Sequence, residues 1–276
     1  MRLSDRTVIA TGGAAGIGAT YAAGLVHEGA VVYIADVADG SSLAAGLSGR
    51  GPGSAVFVRT DIGDEDSVRS LVRMVIEDRG RIDVLVNNAA LFAALPPVSY
   101  DQISLELWDR VMRVNLAGTF LMCKHVGPYM AAQNSGRIIN IGSGTSLKGH
   151  PGMLHYVSSK GAITALTRTV ARELGSHNVC VNTLSPGFTL SDTVVGGNPS
   201  LVEGREGTER RHPVGTTRHA PRRSSQPPHL PGVRGQRQLH DRADPAGRRR
   251  AAQHLTDNPA HRERGTWRKH RCTNCC

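Results

Sequence analysis

The segment TVIATGGAAGIG, residues 7–18, decides the fold. Its apolar start, residues 7–10, predicts a β-strand. The glycines that follow predict a tight turn, and a helix is expected near residues 17–28. A turn of this kind lets an anion come close to the backbone, and the unpaired N–H groups at the start of the helix favour negative charge. An ordinary tight turn without a ligand is the alternative.

The first 200 residues continue this alternation of strand and helix. Further strands are predicted at residues 31–35, 55–59, 84–86, 137–141 and 179–184, and further helices at 64–79, 105–125 (one long helix or two joined) and 156–174. Strands that are apolar on both faces and separated by helices indicate a parallel sheet covered on both sides. The predicted fold class is therefore α/β, a doubly wound, Rossmann-like parallel sheet.

The charge of the chain changes abruptly near residue 204. Residues 1–204 contain 16 Lys and Arg and 17 Asp and Glu, whereas residues 205–276 contain 17 and 6. Large apolar or aromatic side chains number six in the last 72 residues. Such a segment buries too little apolar surface to offset the entropy of ordering it. We therefore predict one domain at 1–204 and a mostly disordered basic tail at 205–276.

Several classes of protein are disfavoured by composition. No run of about 18 apolar residues is available for a membrane span, and the N-terminus lacks a secretory leader. Five cysteines in 276 residues do not form a disulfide scaffold. Cys272, Cys275 and Cys276 resemble half a zinc site without a partner pair, so no metal is expected. The basic clusters favour only non-specific binding of nucleic acid. A cytoplasmic protein is the expectation.

Polar residues end several of the predicted strands. Asp36 lies 18 residues beyond Gly18, at the end of the second strand, where its carboxylate could accept hydrogen bonds from ribose and repel a 2′-phosphate. No Lys or Arg occurs between Thr11 and Arg50, which favours NAD over NADP. A solvated Asp is the alternative. Further candidates for adenine and ribose follow the third and fourth strands, with simple turns as the alternative: Asp61, Ile62, Asn88, Ala89 and Ala90.

The strongest chemical signal is Tyr156-Val157-Ser158-Ser159-Lys160. Because residues four apart share a helix face, the Lys160 ammonium is expected near the Tyr156 phenol, where it would lower the phenol's pKa. A phenol tuned in this way suits proton transfer in carbonyl and alcohol chemistry; a surface pair of Tyr and Lys is the alternative. Ser143 follows an apolar strand 13 residues upstream and could hold a substrate oxygen. Asn115 is a polar residue in an apolar helical stretch; an Asn bonded to backbone at a helix irregularity is the alternative.

In combination, these residues resemble the short-chain dehydrogenase/reductase family over residues 3 to about 195. The matching motifs are TGGAAGIG at 11–18, Asp61, NNAA at 87–90, Asn115, Ser143, Tyr156 with Lys160, and Pro186-Gly187. A departure is Ala90, where the family usually has Gly. The resemblance implies that Tyr156 is the general acid/base and that Lys160 lowers its pKa and binds the nicotinamide ribose. It also implies that Ser143 holds the carbonyl oxygen and that Asn115 anchors a water in a proton relay.

The resemblance further implies a nicotinamide cofactor and a homodimer or homotetramer. Residues assigned to the cofactor are Gly12, Gly16, Ile17, Gly18, Asp36, Asp61, Ile62, Asn88, Ala89, Ala90, Tyr156, Lys160, Pro186, Gly187 and Thr189. The segments 91–98, 144–155 and 188–197 are expected to line an apolar substrate site without a cluster of positive charge. His150 and His155 flank this site; a solvated side chain is expected for each, with contact to substrate as the alternative. The leading prediction is an NAD-dependent dehydrogenase of a small apolar secondary alcohol or ketone. The alternatives are a 3-oxoacyl-carrier-protein reductase and an inactive nucleotide-binding protein.

The family's C-terminal pattern is missing here. HDRADPAGRRR, residues 240–250, can be encoded so that a shift of one nucleotide gives MTGQTLLVDGG, which contains the Thr-Gly-Gln and Val-Asp-Gly-Gly pattern of the family ending. We hypothesise a frameshift between about residues 205 and 219, which would remove the last strand and put oligomer assembly in doubt. Codons at 240–250 that cannot give this second reading would refute the hypothesis.

Overall fold

A computed structural model describes residues 1–49, 51–187 and 189 of the chain. In this part, six parallel strands form one sheet in the order β3-β2-β1-β4-β5-β6. The strands are β1 (Thr7–Thr11), β2 (Val31–Asp36), β3 (Ser54–Arg59), β4 (Val84–Asn87), β5 (Gly136–Ile141) and β6 (Val179–Leu184). The structure confirms the predicted doubly wound parallel sheet.

Helices connect consecutive strands. They are α1 (Gly16–His27), α2 (Ser41–Ser48), α3 (Glu65–Arg79), α4 (Leu105–Met112), α5 (Thr119–Ala132), α6 (Thr145–Lys148) and α7 (Leu154–Leu174). The stretch predicted as one long helix or two joined helices is α4 and α5, which are joined by a π-helical turn at Arg113–Gly118. The short helices α2 and α6 were not predicted.

The sheet is the middle layer of the domain, because alternate residues of its strands enter two separate apolar cores. Ile9, Leu85 and Ile138 are neighbours in register on β1, β4 and β5, and they pack toward α3 and α5. Val8 and Val84 belong to the opposite core, with α1 and α2. Burial on both faces explains why these strands are continuously apolar in the sequence.

Helix α3 shows how local sequence sets the ends of an element. Asp64 caps the helix by accepting hydrogen bonds from the backbone N–H groups of Asp66 (2.9 Å) and Ser67 (3.4 Å). Gly80 ends it in the left-handed conformation, with φ of 68°. The apolar face at Val68, Leu71, Val72 and Val75 is buried, as its spacing predicted.

The strand order reverses between β1 and β4, which opens a crevice at the carboxyl ends of these two strands. Open α/β sheets bind ligands at this position. In the described part of the chain, none of the helices has the length and apolar character needed to cross a bilayer. The predicted basic tail at 205–276 and the predicted loss of a last strand lie outside the described residues.

Candidate active site

The glycine turn after β1 has space for backbone but not for side chains. Gly12 and Gly16 have φ of 63° and 57°, in the left-handed region that favours glycine. A Cβ added to Gly18 would overlap the carbonyl oxygen of Gly12, and one added to Gly12 would lie 2.6 Å from Cα of Ala89. Helix α1 begins without a side-chain cap from Ala15. The turn therefore offers uncapped backbone N–H groups, as a pyrophosphate site requires.

Asn88 locks this turn to the end of β4. Its Nδ2 donates to the carbonyl oxygens of Thr11 (3.1 Å) and Gly12 (2.9 Å). The Thr11 hydroxyl oxygen in turn accepts hydrogen bonds from the backbone N–H groups of Asn88 and Ala89, each at 3.1 Å. Asn88 thus supports the shape of the crevice, and Ala89 is close enough to Gly12 to form its wall.

Asp36 reaches the glycine turn from the end of β2. One carboxylate oxygen accepts the N–H of Ala14 and the other accepts the N–H of Ala38, both at 3.0 Å. The structure thus places the carboxylate beside the first βα turn, where the sequence predicts the adenosine ribose. Contact with ribose stays a prediction.

Asp61 and Ile62 follow β3. Asp61 accepts a hydrogen bond from the N–H of Gly63 at 2.8 Å and remains exposed. Ile62 is 5% exposed and packs on Gly118 so closely that a Cβ there would lie 2.6 Å from it. Ile62 consequently couples the end of β3 to the π-helical turn.

Tyr156 and Lys160 lie one turn apart near the start of α7, and both are buried. The exposed fractions are 7% for Tyr156 and 3% for Lys160. Lys160 Nζ donates to the carbonyl oxygen of Ile141 at 2.7 Å and lies 5.9 Å from the centroid of the Tyr156 ring. The Tyr156 ring also contacts that of Phe92, with centroids 4.7 Å apart. The spacing therefore does bring the two groups together.

Burial and hydrogen bonding act on the pKa values of both side chains. Burial raises the pKa of Tyr156 above its usual value, and the Ser143 side chain acts in the opposite direction. Burial also lowers the pKa of Lys160, to about 8. The role of Lys160 in lowering the pKa of Tyr156 stays a prediction, and in the free chain the ammonium is bonded to the carbonyl oxygen of Ile141. Sequence spacing gives proximity but carries no information on burial.

Ser143 follows β5 by two residues. Its Oγ lies 2.8 Å from the hydroxyl oxygen of Thr145 and accepts the N–H of Thr145 at 3.3 Å. These bonds fix the hydroxyl at the start of α6, near the phenol of Tyr156.

Asn115 lies in the π-helical turn and is fully buried. Its Oδ1 accepts the N–H of Leu91 at 2.7 Å, while its Nδ2 donates to the carbonyl of Leu91 (3.2 Å) and to Ser159 Oγ (3.1 Å). The irregular helix with a backbone-bonded Asn, given as the alternative, is what the structure contains. The side chain joins the segment after β4 to α7, so it helps to position Tyr156. Its part in a water relay stays a prediction.

A buried polar chain beneath the site was not predicted. Asn87 Nδ2 donates to Asn140 Oδ1 (2.8 Å), and Asn140 Nδ2 donates to Thr167 Oγ1 (2.9 Å). Thr167 also accepts a hydrogen bond from the hydroxyl of Thr183 at 2.9 Å. The chain links β4, β5, α7 and β6 behind Lys160. Its only sequence signal is a polar residue inside each of several apolar elements.

Apolar residues surround the Tyr156 ring, in part those that the sequence predicted. Leu95 and Met153 are buried with Tyr156, and Leu91 and Phe92 pack against them. Leu147, which belongs to the predicted substrate segment 144–155, is by contrast 91% exposed. Leu154 lines a shallow cavity of about 260 Å³ with residues that were not predicted: Tyr100, Ile103, Leu105 and Trp108.

His155 differs from the expectation of a solvated side chain. It is fully buried, and burial lowers its pKa. The packing of α7 against other elements, which the local sequence does not reveal, accounts for the difference.

The residues assigned to the nicotinamide end follow β6. Thr189 Oγ1 donates to the carbonyl of Gly187 at 3.2 Å, and Pro186 is half-buried. Phe188 and Leu190, which were expected to line the substrate site, lie outside the described residues.

Comparison with known proteins identifies the family. Residues 6–199 match the family model described as short chain dehydrogenase. The chain therefore belongs to the short-chain dehydrogenase family of oxidoreductases.

Two curated relatives and two solved structures illustrate the similarity. A 3-oxoacyl-[acyl-carrier-protein] reductase FabG of Thermotoga maritima is 36% identical over 190 residues, covering 68% of this chain and 76% of the relative. A cis-4-hydroxycyclohexanecarboxylate dehydrogenase of Sinomonas cyclohexanicum is 35% identical over 213 residues, covering 77% and 83%. A crystal structure of levodione reductase superimposes with a TM-score of 0.70 at 28% identity, covering 76% and 83%. A crystal structure of NAD+-bound xylitol dehydrogenase superimposes with a TM-score of 0.65 at 32% sequence identity, covering 68% of this chain and 72% of that structure's chain.

Proposed function

We propose that the protein is an NAD-dependent oxidoreductase that interconverts a small apolar secondary alcohol and its ketone. The observation that carries the proposal is that Tyr156 and Lys160 form a buried pair, with Lys160 Nζ 5.9 Å from the centroid of the Tyr156 ring. The pair lies in a fold in which a glycine turn follows β1. Membership of the short-chain dehydrogenase family supports the reaction class.

The nicotinamide dinucleotide, when bound, supplies or accepts the hydride. Gly12, Gly16, Ile17 and Gly18 would hold its pyrophosphate against the uncapped start of α1. Asp36 would bind the adenosine ribose, while the adenine would lie near residues 61–62 and 88–90. Pro186, Gly187 and Thr189 would lie at the nicotinamide. The crowding around Gly12 and Gly18 fits this assignment, because side chains there would fill the turn.

The protein's own residues would manage the proton. Tyr156 donates its phenolic proton to the carbonyl oxygen during reduction and receives it back during oxidation. Ser143, fixed by Thr145, donates a hydrogen bond to the same oxygen. Lys160 binds the nicotinamide ribose and favours phenolate. Asn115 anchors the relay that restores the proton.

Asp36 is expected to make NAD the preferred cofactor. Two like charges about 4 Å apart cost on the order of 4 kcal/mol at an effective dielectric near 20. Side-chain rotation and salt reduce the effective cost to about 2 kcal/mol, which is a preference of about 30-fold. We predict that Asp36→Ala with Val37→Arg shrinks or reverses the preference in kcat/KM, because arginine binds phosphate bidentately. Equal use of NADPH and NADH by the unmodified chain would contradict the role of Asp36.

The substrate proposal rests on the apolar surroundings of Tyr156, formed by Leu91, Phe92, Leu95 and Met153. A 3-oxoacyl-carrier-protein reductase is the second candidate, because relatives from Thermotoga maritima and Synechocystis carry that name. A substrate linked to a carrier protein would favour a cluster of positive charge in the substrate segments. In the described part of residues 144–155, Lys148 provides the single Lys or Arg.

The test combines turnover with binding. NADH consumption is measured with a panel of aryl ketones and with a 3-oxoacyl thioester, and NAD binding is measured by calorimetry. Turnover of the ketones supports the proposal, whereas turnover of the thioester alone supports the second candidate. Binding without any turnover would indicate the inactive nucleotide-binding protein. We also propose a homodimer or homotetramer, which light scattering tests, and a cytoplasmic location.

A further inference from the structure

Arg59 brings a positive charge to the proposed ribose site from the neighbouring strand. It is the last residue of β3 and is paired in register with Asp36, the last residue of β2. Its Nη1 donates to the carbonyl oxygen of Val37 at 3.0 Å. The predicted preference for NAD took account only of the residues between Thr11 and Arg50, which contain no Lys or Arg. Arg59 lies outside that range, but the register of β2 and β3 places it beside Asp36.

The guanidinium of Arg59 retains donors for a ligand. Within the described residues it makes one hydrogen bond, to Val37, and no ion pair within 4.0 Å. The nearby carboxylates have other hydrogen-bond partners, since Asp36 accepts two backbone N–H groups and Asp39 accepts the N–H of Ser41 at 3.0 Å. The hydrogen bonds from Ser41 lower the pKa of Asp39 and the charge of Arg59 lowers it further, so Arg59 attracts this carboxylate without a hydrogen bond to it. Arg59 is exposed, so a solvent-borne anion can reach it.

We propose that Arg59 is a second determinant of cofactor selectivity, which binds the 2′-phosphate of NADP and opposes the repulsion from Asp36. The inference rests on the proposed function. A guanidinium forms paired hydrogen bonds with phosphate oxygens, and its bond to Val37 holds it beside the residue that follows Asp36. Asp36 keeps NAD preferred, but Arg59 makes the preference smaller than Asp36 alone would give.

The proposal gives Asp36 and Arg59 opposite effects on one measurable quantity. Removing Asp36 alone leaves Arg59 in place, so the chain should accept a 2′-phosphate without an engineered cation. Removing Arg59 alone should make the chain more selective for NAD. Removing Arg59 should not alter binding of adenosine 5′-monophosphate by more than about twofold, whereas removing Asp36 should weaken it, because Asp36 binds the ribose hydroxyls in the proposed function.

The proposed role of Arg59 is tested on the full chain by calorimetry with adenosine 2′,5′-bisphosphate and adenosine 5′-monophosphate, which differ by the 2′-phosphate. The ratio of kcat/KM for NADPH and NADH is measured alongside. The variants are Asp36→Ser, Arg59→Met, the double variant and Arg59→Lys. Arg73→Met is the matched control, because Arg73 is an exposed arginine on α3. Circular dichroism verifies that each variant folds.

Asp36→Ser is expected to bind adenosine 2′,5′-bisphosphate at least tenfold more tightly than the unmodified chain. The double variant should bind it at least tenfold more weakly than Asp36→Ser. Arg59→Met alone should raise the preference for NADH at least threefold, and Arg59→Lys should lie between Arg and Met. If Arg59→Met affects bisphosphate binding no more than Arg73→Met does, the inference is wrong while the NAD site stands. If no nucleotide binds to any variant, both the inference and the proposed function fail.

Discussion

Tyr156→Phe is expected to lower kcat by about 10²–10⁴-fold while dinucleotide binding changes by less than about twofold. The substitution removes the phenolic hydroxyl, and the ring that packs on Phe92 with centroids 4.7 Å apart stays. The proposed chemistry requires a proton at that oxygen, and no other group would then supply it. Steady-state turnover and calorimetric binding of NADH, measured on the same preparation, separate the two effects.

The control for this variant is Tyr129→Phe, which removes a phenolic hydroxyl from a tyrosine on α5 that is 41% exposed. It should keep full turnover. Retention of more than about a tenth of the activity by Tyr156→Phe would exclude Tyr156 as the acid/base, since general acid–base catalysis contributes at least about 10²-fold. Loss of NADH binding together with turnover would instead indicate a structural role for the hydroxyl.

The strands and long helices could be predicted because their signals are local. Continuous apolar runs mark the central strands, and the spacing of Val68, Leu71, Val72 and Val75 marks α3. Helix α2, by contrast, has the sequence SSLAAGLS, in which small and polar residues give little helical periodicity. Its buried residue is Ala44, and it forms because packing against the sheet supplies what the local sequence does not.

Contacts within one element of the candidate site could be predicted from the sequence, whereas contacts between elements and burial could not. The pairs that face each other within one element, such as Tyr156 and Lys160, follow from spacing alone. Pairs between elements do not: the register of β2 and β3 places Arg59 beside Asp36, and the polar chain through Asn87, Asn140 and Thr167 crosses three elements. The raised pKa of Tyr156 depends on burial, which is set by the whole packed domain.

Lys160→Met is expected to stabilise the chain at pH 7 while it lowers kcat by about 10²-fold. The Lys160 ammonium is 3% exposed, and burial lowers its pKa from 10.5 to about 8. At about 1.4 kcal/mol per pKa unit, keeping this group charged at neutral pH costs about 3 kcal/mol. Methionine removes that cost but leaves the carbonyl of Ile141 without its donor at 2.7 Å, which costs about 1–3 kcal/mol. A net gain of about 1 kcal/mol in the free energy of unfolding remains.

The pH dependence identifies the origin of that gain. Between pH 8 and 10.5 the unfolded chain binds more protons at Lys160 than the folded chain does, so this residue makes the stability of the unmodified protein rise with pH. The advantage of Lys160→Met over the unmodified chain should therefore shrink between pH 7 and pH 9.5, as measured by urea unfolding. Lys124→Met is the matched control, because it removes an ammonium that is half-exposed and paired with Glu65 instead of buried. A Lys160→Met chain that is less stable than the unmodified chain by the same amount at both pH values would show that the buried ammonium carries no cost. In that case the hydrogen bond to Ile141 would offset the burial of Lys160, and that burial could no longer be explained as a loss of stability that serves chemistry at Tyr156.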